Sequence, residues 1–292
     1  MKNIFKSFTH YLKLAVVVPV LIMGIVLSSC NEDIIELEPF TSVSENAAFS
    51  TPSLIDLSVT GMYNAAQIGL YNGAGRGYPF GAAFVQQGDN RGEDVVNIAT
   101  FYQLTYTATY DPTTANNVYY WVDTYRLINR ANIVIDGVTK AVAAGVITAA
   151  KGDDYIGEAL YFRAIAHMEL LFHFARPYKF TAGATHPGVP YRTIPYTTQE
   201  NIDLGTAQGR NTVKECYDKL IADLDAAETK LLAKSARSGN AKIVRATKEA
   251  AIAMKTRAYL HMGNWDKVLT EGAKLNGLYT LTANPDGVFA SN

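Results

Sequence analysis

Cysteine is almost absent from the chain, with Cys30 and Cys216 the only two among 292 residues. A single pair makes no disulfide framework of the kind that braces small secreted domains. Histidine is sparse as well, at five residues. His167 and His173 in HMELLFH stand six apart. At about 100° per residue their rings diverge around a helix, whereas a zinc-protease helix needs two histidines four apart with a glutamate between. No metal site is expected there, and Glu169 with His173 reads as a surface pair. Neither sign of charge dominates: 26 Lys and Arg against 27 Asp and Glu give a net charge of −1, without the basic face that nucleic acid requires. The glycines of GAGRGYPFG lack the preceding strand, following helix and spacing of a dinucleotide loop. In GDNRGED, with Asp89 counted as the first position, Arg91 and Gly92 fall third and fourth, where an EF-hand wants a ligand third and glycine sixth. There is no Gly-x-Ser-x-Gly elbow. No cofactor, no metal, no nucleic-acid partner and no enzyme activity are expected.

Long apolar runs are missing too, with one exception near the start. Lys2, Lys6 and Lys13 precede Leu14 to Leu27, LAVVVPVLIMGIVL, which carries no charge. That run of about 14 residues falls short of the roughly 20 needed to span a bilayer, and Pro19 and Gly24 interrupt it. A basic head, a short apolar run and small residues make a secretory signal. Its end, Leu27-Ser28-Ser29-Cys30, looks like a bacterial lipobox, in which the cysteine is acylated and becomes the new N-terminus. Several acyl chains give stable anchoring where one gives only marginal binding. Residues 1–29 are therefore expected to be a lipoprotein signal peptide, with lipidation at Cys30. Cleavage would leave 263 residues and remove three lysines and no acid, taking the net charge from −1 to −4. Cys216, then unpaired, reads as buried packing in a helix.

Beyond Cys30, residues 30–50 read as a polar, extended leader and residues 51–292 as one helical domain. Thr51-Pro52 starts a helix, with Thr as N-cap and Pro at the first position. Val118, Trp121, Tyr125, Ile128, Asn132 and Ile135 share a face of a second helix, for which Gly137 is a stop signal. A third runs from Asp153 until Pro177 forbids it, with Ile156, Leu160, Ala164, His167, Leu171 and Phe174 as its stripe. Lys179 to Asn211, rich in Pro and Gly, reads as a long connection with short extended pieces. Thr212 and Glu215 form a capping-box pair ahead of the stripe Val213, Tyr217, Leu220, Leu224, Ala227 and Leu231. The last pair of helices breaks at Gly263, with Asn264 capping the second and Gly277 ending it. Small residues at their contact and the Gly-x-Trp turn look like one tetratricopeptide unit, which must stack on other helices to bury its face. The expected fold is mainly α: a tetratricopeptide-like helical repeat scaffold with long loops and short strands.

Tyr71 to Pro112 stands apart, with little helical periodicity. Within it FYQLTYTATY alternates as a short strand would. A long irregular segment in a compact domain is often functional. Tyrosine is abundant, at 18 residues, and many lie between Tyr71 and Tyr125 among Asn, Gln, Asp and Arg. Flat rings stack on the apolar faces of sugars, while amides, arginines and acids bond hydroxyls. Helical tyrosines such as Tyr119 and Tyr125 read as packing. The loop tyrosines Tyr71, Tyr78, Tyr102, Tyr106 and Tyr110 are candidates for ligand contact, and composition and position single out Asn90, Arg91, Tyr102, Tyr106 and Tyr110 as the ligand-binding set.

Taken in order, the motifs resemble the SusD/RagB family of surface-exposed outer-membrane lipoproteins of Bacteroidota, which capture nutrients, typically glycans. LSSC is followed by ELEPFTSVSENAAFSTPSLIDLSVTGMYNA, similar to the family's acidic leader and its helix ending in Gly-x-Tyr-Asn. YRLINRANIVID, EALYFRAIAHMELLFHFARPY and RNTVKECYDKLIADLDAAETKLL resemble its next three signatures, and the tetratricopeptide pair follows in the expected place. These are helix-packing signatures, so they carry fold and family and transfer no ligand residue. The resemblance implies a longer chain, with part of the ligand surface contributed by sequence beyond Asn292. It also implies binding without chemistry and delivery to a TonB-dependent, SusC-like outer-membrane transporter, the lipoprotein acting as a lid tethered by its lipid at the cell surface. Two rival readings remain at this point: a tetratricopeptide-like lipoprotein scaffold for protein–protein interaction, and a glycan hydrolase using Asp89, Glu93 or Asp94 as a carboxylate pair.

Overall fold

A computed structural model of the protein describes residues 45–69 and 75–280. The chain divides into two units, residues 1–47 and 48–292. Of the first, only the start of a helical turn, Glu45–Ala48, is described. Cys30, the signal peptide, most of the leader and Tyr71 lie outside the described residues.

The second unit is a stack of helices: α1 (Pro52–Ile68), α2 (Ala82–Asp89), α3 (Ala115–Ala143), α4 (Ala149–Phe174), α5 (Gln199–Ala207), α6 (Val213–Lys230), α7 (Lys248–Met262) and α8 (Trp265–Ala273). Short connections make α3/α4 and α7/α8 helical hairpins. α1 packs on α3, α3 on α4, α4 on α6, α6 on α7 and α7 on α8. This is the tetratricopeptide-like architecture in which each hairpin buries its face on the next. No strand occurs among the described residues, and the one antiparallel bridge pairs Pro187 with Thr212. FYQLTYTATY does not form the expected strand. Gln103–Tyr106 closes a helical turn instead, because it has no neighbouring strand to pair with.

Threonine starts most of the long helices. The Thr51, Thr148 and Thr247 hydroxyls accept from the amides of Leu54, Lys151 and Ala250. Thr212 and Glu215 close the expected capping box, at 3.2 Å from Glu215 N to Thr212 Oγ1 and 2.8 Å from Thr212 N to Glu215 Oε2. Such caps satisfy amide donors that the first turn leaves without partners.

Gly137 does not stop α3, which continues to Ala143. A Cβ there would stand 2.4 Å from the Phe49 ring, so the glycine serves close approach rather than termination. Gly137→Ala is expected to cost about 1–3 kcal/mol through overpacking, read as a lower urea midpoint. A conserved midpoint would mean that Phe49 moves aside freely.

α4 is buried nearly all round, which is why it sits at the centre of the stack. Cys216 on α6 is fully buried. Its thiol lies 3.3 Å from the Val189 carbonyl, and burial pushes the thiol pKa up, as expected of packing. At the end of the stack, Lys255 is 1% exposed and its ammonium meets Asp225 and Glu271 at 2.8 and 3.0 Å, with Glu228 also bonded. One cation thereby ties α6, α7 and α8. Among the described residues no helix is long and apolar enough to cross a membrane.

Candidate functional site

The segment between α4 and α6 folds back on the stack and creates the concave surface. Its backbone is held by side chains, as an irregular segment must be when it lacks a ladder. Tyr125 donates to Pro190 O at 2.9 Å and Asn132 to Ile194 O at 3.1 Å. Gln208 donates to Tyr191 O at 3.0 Å, and Arg210 to Pro187 O and Phe174 O at 3.2 and 3.3 Å. α5, which the sequence pattern did not announce, forms inside this segment behind the Thr198 cap.

His167 is the strut between α4 and that segment. The Arg192 amide donates to Nε2 at 3.0 Å, so Nδ1 carries the proton and donates to Arg163 O at 2.8 Å. The ring stacks on Tyr191 with centroids 3.7 Å apart. Burial, with Arg163, Lys219 and Arg192 nearby, lowers its pKa to about 3, so the imidazole stays neutral. His173 is likewise committed, Nδ1 to Glu169 O at 2.9 Å. Glu169 is not the exposed partner that its spacing suggested. It is 3% exposed, burial raises its pKa to about 7, and its nearest cation is Arg257, 3.9 Å away on α7.

Residues 75–114 wrap the N-terminal end of α3. Asn116 donates to Phe101 O at 3.0 Å and Asn117 to Asp111 O at 3.0 Å. Of the five residues singled out here from the sequence, Asn90 caps α2 and donates to Gln86 O at 2.7 Å. Tyr102 is 8% exposed. Its hydroxyl donates to Gln86 Oε1 at 3.3 Å and its ring meets Phe101 edge-on at 4.7 Å. Gln86 thus holds both. Arg91 is exposed and lies 5.8 Å over the Tyr110 ring. Tyr110 and Tyr106 are 43% and 39% exposed. Tyr78, another loop tyrosine, is fully buried.

Tyr110 lines a cleft. The cleft holds about 570 Å³, and Trp121, His173, Phe174, Asn117 and Arg210 join Tyr110 around it. Trp121 meets Phe174 edge-on at 5.0 Å and Tyr125 at 4.8 Å. His173 Nε2 has no protein partner among the described residues, and Arg210 has no carboxylate partner there. Aromatic walls with a few convergent polar groups are what a small-molecule cleft requires. A second cleft, of about 670 Å³, shares Trp121 and opens between α3 and α5. From the sequence, Tyr125 reads as packing and Trp121 as one position on the apolar face of α3. The signal present was arginine at 126 and 130, beside aromatics on the same helix.

The SusD-like family model described as starch-binding and associating with the outer membrane matches residues 36–260. No curated protein matches. Among solved structures, the chain is similar to a SusD superfamily protein of Bacteroides fragilis, at 28% identity over 80% of this chain and 51% of that one, TM-score 0.67. It is also similar to a SusD superfamily protein of Bacteroides thetaiotaomicron, at 21% over 81% and 49%, TM-score 0.64. A SusD-like carbohydrate binding protein of Bacteroides vulgatus matches at 21% over 80% and 47%, TM-score 0.67. The latter two likenesses concern fold alone. The chain spans about half the length of these relatives.

Proposed function

This chain belongs to the SusD-like family, and on that premise we propose that it captures saccharide at the cell surface and passes it to a TonB-dependent outer-membrane transporter. Acylated Cys30 is the anchor in this reading, with residues 30–50 standing the helical body off the membrane. The observation that carries the reading is the first cleft. Tyr110, Trp121 and Phe174 offer flat rings for the apolar faces of sugars, and Asn117, His173 and Arg210 offer hydroxyl partners beside them. Arg91 lies over the face of Tyr110, 5.8 Å from its centroid, and adds a cation beside the exposed ring. No step of bond making is involved, only recognition and transfer.

Calorimetry of the full-length mature protein, without its lipid, against a panel of neutral oligosaccharides tests capture. Saturable binding is expected, weakened about tenfold, or ~1.4 kcal/mol, in Tyr110→Ala. Saturable binding unaffected by Tyr110→Ala removes the ligand from this cleft, and no binding to any saccharide overturns capture in favour of the protein-scaffold reading. Delivery is tested separately. The intact lipoprotein, drawn from membranes in mild detergent, should bring a transporter with it, and its consistent absence would overturn the transfer step.

A further inference from the structure

The second cleft differs from the first in charge. Arg126 and Arg130 stand on α3 at its edge, and Arg192 lies on the facing segment, yet neither Asp nor Glu lines it. Two arginines four apart on one helix face repel one another. Among the described residues, the one carboxylate within ion-pair distance of either arginine is Asp123, buried and 3.9 Å from Arg126, and it packs toward Gly69 at the end of α1. Arg130 has no acidic partner among the described residues. Arg192 is turned toward oxygen acceptors through one nitrogen, with Nη1 at 3.2 Å from Tyr196 Oη, 2.9 Å from Gln208 Oε1 and also against the Gly205 carbonyl.

The opposite wall is a fixed aromatic surface. Tyr196 lies across α5 at Gly205, where any Cβ would stand 2.4 Å from the ring. The Arg192 guanidinium covers Tyr196 at 5.3 Å, and the Tyr196 amide donates to Asn129 Oδ1 at 2.8 Å. Asn129 Nδ2 has no protein acceptor among the described residues. The cleft therefore combines Arg130, without an acidic partner among the described residues, Arg126, with only the buried Asp123 at 3.9 Å, a held ring and a free amide donor. Planar guanidinium matches planar carboxylate in a two-bonded fork, and the ring suits the apolar face of a pyranose.

We infer that this second cleft takes a carboxylate-bearing sugar, a uronate residue, with Arg126 and Arg130 on the carboxylate and Tyr196 against the ring. The inference rests on the saccharide capture proposed above and specifies its substrate class as acidic glycan. Trp121 borders both clefts, so one chain of sugars can pass from the first to the second.

The test is calorimetry of the full-length mature protein with a short oligogalacturonate and with its carboxyl-reduced, neutral counterpart, repeated on Arg126→Gln/Arg130→Gln. Both substitutions are at exposed positions, and circular dichroism verifies folding. The expected result is at least tenfold tighter binding of the acidic ligand, weakened by added salt and abolished as a preference in the double variant, with the neutral ligand changed less than twofold. Equal binding of the two ligands overturns the inference while leaving saccharide capture in place. A preference that survives the double variant also overturns it, by placing the charge recognition elsewhere. Failure of both ligands and of the neutral panel overturns capture and this inference together.

Discussion

Asp223→Ala is expected to lower the unfolding free energy of the mature chain by roughly 3–5 kcal/mol, the usual cost of stranding a buried charge. Arg163 on α4 holds the Asp223 carboxylate of α6 in a fork, Nε to Oδ2 at 2.8 Å and Nη2 to Oδ1 at 2.6 Å. Its third nitrogen reaches Asn132 Oδ1 of α3 at 3.0 Å. Tyr191, from the segment that walls the second cleft, donates to Asp223 Oδ2 at 2.6 Å. Three helices and the cleft segment therefore meet at one ion pair. Removing the carboxylate leaves a guanidinium about 10% exposed without its counterion, and Tyr191 without its acceptor. In urea the midpoint should fall by roughly 1–2 M, given the slopes usual for domains of this size. Asp218→Ala provides the contrast. Its Lys214 partner is four residues away on the same helix and both side chains are more than half exposed, so a change within about 0.5 kcal/mol is expected. Equal effects of the two substitutions would mean that the buried network contributes nothing special.

Acidification is the second large effect. His167 is fully buried and its folded pKa, about 3, lies below the ordinary histidine value of 6.5. The unfolded chain therefore binds the proton more readily, and stability falls as pH drops from 6.5 toward 3. The shift corresponds to a loss of several kcal/mol, on the order of 5 at the acid end. Protonation also sets a second N–H against the Arg192 amide, so the cleft segment should detach first. Glu169 acts in the opposite sense. Its folded pKa of about 7 exceeds the ordinary 4.5, so its contribution is fully present below pH 4.5 and is lost as pH rises through 7. The two oppose one another between pH 4.5 and 6.5, and the net fall steepens below that window. Stability measured from pH 8 to 3 in the parent and in His167→Gln checks this. The variant, although less stable at pH 7, should lose markedly less on acidification. Parallel curves would contradict the assignment of His167 as the acid-sensitive strut.

The helical body was legible because its determinants are local. Thr51-Pro52, the Thr212–Glu215 box and Gly263-Asn264 are read within four residues, and each caps the helix it announces. Errors arose where a partner far along the chain decides. Gly137 looks like a stop until Phe49 is placed against it. FYQLTYTATY alternates, but alternation makes a strand only where a second strand exists. Glu169 and His173 share a helix face, yet α4 is covered on all sides, so their carboxylate and ring turn to Arg257 and to a backbone carbonyl.

The site was less legible than the fold. Tyr102 and Tyr110 are equivalent in composition, and only the packing of residues 75–114 on α3 turns one inward and leaves the other on a cleft. Trp121 and Tyr125 follow a packing stripe and also form the boundary of two clefts, a dual role that periodicity cannot separate. Arg192 gave no signal, because its contribution depends on α5, which carries no apolar stripe of its own to announce it. Cys30 and most of the leader lie outside the described residues, and lipid anchoring is proposed from the LSSC motif and family membership.

The most direct measurement is the crystal structure of the full-length mature protein bound to the oligosaccharide that binds most tightly. The account predicts sugar rings against Tyr110 and Trp121 in the first cleft, with hydroxyls on Asn117, His173 or Arg210. Sugar seated wholly away from the Trp121 side of α3 would contradict it.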